Sequence, residues 1–206
     1  RCCRRVAAAG AMAVHLEDQT FPKRCGHLRG KEVIPREDYI SKIRAAAYAL
    51  EGTDCILIAR TDSYHTVGKE EAIARCNAAI DAGADISFIE GTDSLEAIEE
   101  IGRRVKGTKM FAMASQGASP EVTYEQLVKW GYSLMTMHFA MWGAIKGMQQ
   151  FATLCFADKS DIPVTEDPDV DARPIALFEM FGLHDWLELG ARFNPKIQDA
   201  AEFEKA

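Results

Sequence analysis

The stretch GTDCILIARTD, residues 52–62, sets a glycine just ahead of an apolar, partly β-branched run that closes on Arg60, Thr61 and Asp62. Glycine suits the left-handed residue that ends a helix. A short apolar run bounded in this way suits a strand buried on both faces, as in parallel sheets. The same pattern recurs along the chain, where Gly10 leads to AVHLEDQ, Gly83 to ISFIEG, Gly107 to MFAMASQ and Gly131 to SLMTMHF. Between these runs, apolar residues fall at helical spacing: Ile40, Ile43, Ala47 and Leu50, then Ala72, Ile73, Cys76 and Ile80, then Leu95, Ile98, Ile101 and Val105. Asp93 with Glu96 reads as a capping box opening the third of these helices.

Strand-helix units repeated without a Gly-rich GxGxxG turn predict an α/β fold of the (β/α)8 TIM-barrel type over a doubly wound sheet. Five such units are visible, so a full barrel lacks about three, whose place is before Arg1. The chain therefore reads as a barrel truncated at its N-terminus. From 139 the pattern changes. A helix runs to about 157, the polar, proline-containing stretch DKSDIPVTEDPDVDARP follows, and a last helix covers about 174–189. Residues 1–157 are thus expected to form the partial barrel. Residues 158–206 add a linker, mobile over 158–173, and a C-terminal helical segment of the same domain.

Composition bounds the function. With 206 residues, 48% of them hydrophobic, the chain can bury one real core. A net charge of −7 and the lack of a basic block argue against nucleic acid as a partner. No apolar run approaches the roughly 20 residues of a membrane helix, and nothing reads as a secretory leader, so a soluble, cytoplasmic protein without a membrane partner is expected. A targeting segment ahead of Arg1 would change the compartment to an organelle such as the mitochondrion. The six cysteines, at 2, 3, 25, 55, 76 and 155, lack disulfide-scaffold or CxxC spacing and read as reduced thiols. Cys55 and Cys76 fall in apolar patterns and read as small buried hydrophobes.

In a barrel the C-terminal ends of the strands converge on one mouth. Those ends carry Glu17, Asp18 and Gln19; Arg60, Thr61 and Asp62; Glu90; Ser115 and Gln116; and His138. Arg60 suits either a salt bridge to Asp62 or Glu90, or two-point binding of a substrate carboxylate. Glu17 suits either a helix cap or a hold on Mg²⁺, directly or through water. His15, inside a strand, reads as a core histidine. Cys25 is different: it follows the first strand on a loop with Lys23, Arg24 and His27, charges that favour a thiolate. Gly26 keeps the backbone there open to a ligand. A thiol in this setting suits proton donation to a carbanion or enolate, which is general acid catalysis.

HLEDQTFPKRCGH resembles the signature of the isocitrate lyase and phosphoenolpyruvate mutase superfamily, in the branch of 2-methylisocitrate lyase, 2,3-dimethylmalate lyase and oxaloacetate hydrolase. The likeness continues through GKEVIPREDYISKIRAA, ARTD and GADISFIEG, and more faintly to about residue 150. The resemblance implies a Mg²⁺-dependent enzyme, with Mn²⁺ as an alternative, that cleaves a carbon-carbon bond in a small 2-hydroxy or 2-oxo carboxylate; the alternatives are an oxaloacetate hydrolase giving oxalate and acetate, and a non-catalytic diverged or fragmentary relative. It implies Cys25 as the acid that protonates the departing carbon, with Lys23, Gly26 and His27 on the same mobile loop. Arg60 would bind substrate carboxylate, Glu90 would sit against substrate, and Glu17 would hold the metal's water shell. It also implies a homotetramer in which a C-terminal helix swaps between subunits. The sequence departs from the family after the fourth visible strand, where an asparagine followed by a glutamate and glycines is replaced by FAMASQGASP.

Overall fold

The structure, a computed structural model, describes residues 1–26, 28–114 and 117–193. They divide into two compact units, Arg1–Phe139 and the described residues from Ala140 on.

The first unit alternates helix and strand: α1 (Cys2–Ala8), β1 (Ala13–Glu17), α2 (Arg36–Leu50), β2 (Ile56–Thr61), α3 (Ser63–Thr66), α4 (Lys69–Asp81), β3 (Ile86–Ile89), α5 (Leu95–Arg104), β4 (Thr108–Met113), α6 (Tyr124–Lys129) and β5 (Leu134–Met137). The five strands pair in parallel in chain order, β1-β2-β3-β4-β5. Each predicted strand is present, and the glycine before each has positive φ, from 64° at Gly107 to 103° at Gly83.

The two faces of the sheet differ in what covers them. On one, Leu57 and Ala59 pack with Tyr39, Ile43 and Leu50 of α2, while Ile89 and Phe111 pack with Ile73, Ile98 and Leu127 of α4, α5 and α6. The other face holds a cluster built from strand residues alone, Ile58, Ile86, Phe88 and Met110 with Ala112 and Leu134 against it. A doubly wound sheet would bury both faces under helices. Helices on one face and side chains meeting each other on the opposite face make the barrel arrangement. Fully buried Ile43, Leu57, Ile98 and Leu127 each contribute on the order of 1.5–3 kcal/mol by leaving water.

Two local expectations are corrected. The cap of α5 is Ser94, whose hydroxyl accepts from the Ala97 amide at 3.2 Å, one residue after the expected Asp93. Asp93 instead accepts from the Tyr64 hydroxyl at 2.6 Å. A full capping box forms at α6, between Thr123 and Gln126. The last helix is two, because a turn with Gly182 at φ 81° interrupts it.

The second unit carries α7 (Phe139–Asp158, entered from the last residue of the first unit), α8 (Ile162–Thr165), α9 (Pro174–Met180) and α10 (Leu183–Phe193). The expected linker thus contains the short helix α8. Among the described residues no helix is long and apolar enough to cross a membrane.

Candidate functional site

In-register pairing levels the strand ends: Glu17 of β1 stands beside Arg60 of β2, and Arg60 beside Phe88 of β3. Residues two apart on a strand share a face, so Glu17 and Arg60 face one way and Asp18 and Thr61 the other.

Asp18 is a fastening group. Fully buried, it accepts from the Thr61 hydroxyl at 2.5 Å, the Asp62 amide at 2.9 Å and Arg75 at 3.0 Å. Arg75 also donates to the Ile34 carbonyl at 2.8 Å and to Glu71 at 2.8 Å, tying the end of β1 to α4 and to the segment before α2. Burial pushes the Asp18 carboxyl above its ordinary pKa despite these bonds.

On the other face Arg60 is the hub. Its Nε and Nη2 donate to Asp62 at 2.8 and 2.9 Å, its Nη1 lies 3.1 Å from Glu90, and its Nε lies 3.5 Å from Glu17. Its guanidinium sits 5.6 Å from the Phe88 ring centre. The salt-bridge partners named from sequence are therefore both engaged. Burial alone would raise the Asp62 pKa, but the Arg60 bonds outweigh it and hold the carboxyl below its usual value. With the side-on edge of the fork committed to Asp62 and Nη1 also drawn to Glu90, a substrate carboxylate would meet only the N–H groups those two acids leave open.

The cysteine loop lies against this hub. Gln19 fixes its approach with two bonds to the Arg24 backbone, accepting from its amide at 2.9 Å and donating to its carbonyl at 3.0 Å. Gly26, expected to keep the backbone open, is instead packed down: an added Cβ would lie 2.3 Å from Glu90 Cγ and 2.6 Å from Arg60 Nη2. The close approach explains why this position is a glycine. Cys25, next to it, is exposed and free. The charges around it are partly spent elsewhere, since Lys23 pairs with Glu17 at 2.9 Å and Arg24 donates to the Arg29 carbonyl at 3.2 Å. His27, Ser115 and Gln116 lie outside the described residues.

An open cavity of about 620 Å³ runs beside β1, lined by His15, Glu17, Gln19, Lys23, Lys42 and Arg60. Among the described residues His15, expected in the core, is not enclosed. It is exposed to this cavity, with its ring 5.6 Å from Phe88, because β1 is the edge strand of the described sheet. Partial burial and then the Arg60 charge push its pKa below the ordinary value. His138 bonds the Met113 carbonyl at 3.2 Å and His184 lies 4.0 Å from Glu179.

Among the described residues no three His, Cys, Asp or Glu side chains converge as metal ligands. The Glu17 carboxylate faces Lys23 and Arg60. These residues do not by themselves fit a metal centre.

Sequence reasoning missed Lys31. Its side chain is 4% exposed, it donates to the Gly26 carbonyl, and it lies 3.7 Å from Asp62. A lone lysine in a loop carries no signal of burial. Gln19 was noted as a strand-end amide, but its hold on the loop depends on a turn that spacing does not show.

Residues 1–155 match the phosphoenolpyruvate phosphomutase family. The chain is 36% identical over 202 residues to the chloroplastic carboxyvinyl-carboxyphosphonate phosphorylmutase of Arabidopsis thaliana, covering 94% of this chain and 58% of that protein. Among solved structures it is similar to oxaloacetate acetylhydrolase in complex with the inhibitor 3,3-difluorooxalacetate, with TM-score 0.83 and 33% identity. It is likewise similar to 2,3-dimethylmalate lyase, with TM-score 0.81 and 34% identity; each alignment covers 92% of this chain and 63% of the other. The chain thus spans about three fifths of the length of these relatives. The family match, these likenesses and the one-faced parallel sheet agree: the chain belongs to the phosphoenolpyruvate phosphomutase family, within the isocitrate lyase/PEP mutase superfamily.

Proposed function

We propose that the protein is a carbon-carbon bond lyase that cleaves a small 2-hydroxy di- or tricarboxylate, of the methylisocitrate or dimethylmalate type, to a 2-oxo acid and a second carboxylic acid. One observation carries this reading: an exposed thiol, Cys25, sits on a loop whose next residue rests directly on Arg60 and Glu90 at the strand ends. Arg60 receives a substrate carboxylate on the N–H groups that Asp62 and Glu90 leave open, Lys23 lines the same cavity, and His27 belongs to the same loop by the resemblance. The 2-hydroxyl gives its proton to solvent water in the open cavity and its carbon becomes a carbonyl as the carbon-carbon bond breaks. The released electron pair goes to the departing carbon, to which Cys25 delivers its thiol proton. The Cys25 thiolate left after proton donation takes a proton back from the same solvent. Glu90 holds Arg60 against the substrate.

For the intact protein the proposal includes a metal cofactor, as the resemblance implies. Mg²⁺, or Mn²⁺ in its place, would offset the charge of the substrate carboxylates, and Glu17, which lines the open cavity, is the carboxylate the resemblance assigns to it. The proposal also includes a homo-oligomer, tetrameric by the resemblance, in a soluble compartment.

The second reading, oxaloacetate hydrolysis to oxalate and acetate, is favoured by the likeness to oxaloacetate acetylhydrolase. The intact protein, supplied with Mg²⁺ and a panel of 2-hydroxy di- and tricarboxylates plus oxaloacetate, decides between them. A 2-oxo acid from a hydroxy substrate is expected. Oxalate from oxaloacetate alone would establish the hydrolase, and no product from any would refute both.

A further inference from the structure

Besides the Lys23–Glu17 pair, the loop bearing Cys25 is fastened to the strand ends at three places, and one is a lysine that the proposed chemistry leaves unused. Gln19 grips the Arg24 backbone, Gly26 rests on Glu90 and Arg60, and Lys31 reaches back to donate to the Gly26 carbonyl. The same ammonium lies 3.7 Å from Asp62 Oδ1, which also accepts from Arg60 Nη2 at 2.9 Å. Lys31 and Asp62 are both buried, with side chains 4% and 0% exposed.

We propose that Lys31 is a positioning residue that couples the seating of the Cys25 loop to the orientation of Arg60 through their shared partner, Asp62. A buried ammonium is costly unless its donors are used. When Gly26 is seated, the ammonium has the Gly26 carbonyl and the Asp62 carboxylate. When the loop lifts, it keeps Asp62 alone and draws harder on the carboxylate that aims the guanidinium. Loop position and arginine geometry therefore change together. This inference rests on the lyase reading only for its effect on turnover, because the loop contacts stand without it.

Limited acetylation of the intact, unsubstituted protein with acetic anhydride gives the first test. Burial predicts that Lys31 reacts at least about tenfold more slowly than Lys23, whose side chain is 54% exposed. Equal rates would overturn the proposal. The second test compares Lys31→Met and Lys31→Arg by hydrogen exchange. Lys31→Met should speed exchange of the loop amides at 24–28 by about tenfold and leave the β1–β5 amides unchanged. Lys31→Arg should restore slow exchange. Unchanged loop exchange in Lys31→Met, or equal loosening of loop and strands, would overturn the coupling. In the lyase assay Lys31→Met should raise KM more than it lowers kcat, since it disturbs the arginine that holds substrate. A protein that releases no 2-oxo acid yet shows this exchange pattern refutes the lyase reading and leaves the coupling standing. An active lyase whose loop ignores Lys31 refutes the coupling alone.

Discussion

Gly26 concentrates the local argument. A methyl group there would overlap Glu90 and Arg60, at 2.3 and 2.6 Å, and both are held by further partners. The loop must then lift, carrying Cys25 away from the arginine. Gly26→Ala should cut kcat/KM of the intact enzyme by about a hundredfold, in line with the cost of misplacing a catalytic group. The urea midpoint should stay near wild type, because the loop is exposed on both sides of this contact. Steady-state kinetics beside urea unfolding checks this, and full activity would show that the loop need not seat. The sequence showed a glycine beside the thiol but gave it the opposite role. Spacing can indicate that a backbone must be unencumbered, but whether a ligand or a neighbouring side chain fills the space is a long-range contact. The buried Asp18 is another such case: EDQ reads as three polar residues on a rim, while the structure turns the middle one away from the mouth to bind Thr61 and Arg75, 43 and 57 positions on.

At the scale of elements, the strands and main helices were legible because each depends on local periodicity and on a glycine at positive φ. Boundaries were less so. Ser94 displaced Asp93 as the cap of α5, since either side chain can accept from the first turn and the choice follows where Asp93 is wanted by Tyr64. Gly182 split the last helix although the apolar spacing continues across it. The unsignalled burial of Lys31 is of the same kind, because its partners come from the cysteine loop and from β2's end.

For the whole molecule, the parallel one-faced sheet and the family match make the barrel class secure, and the surface says more. No residue of the 20-residue helix α7 is buried, and Phe139, Trp142, Met148 and Phe156 are exposed on it. In the second unit Phe178, Phe181 and Trp186 are exposed as well. These apolar side chains are ones that the rest of the intact protein or the copies of the proposed homo-oligomer would cover. Sedimentation of the intact protein should give a multiple of its chain mass, and a stable monomer would contradict the proposal. The central claim, that Cys25 supplies the proton for carbon-carbon cleavage, is tested most directly by 2-oxo acid release from the intact wild-type and Cys25→Ala proteins with Mg²⁺ present. Loss of a general acid predicts a fall in kcat of about 10²–10⁴-fold with unaltered unfolding. Wild-type turnover by the alanine variant would contradict it.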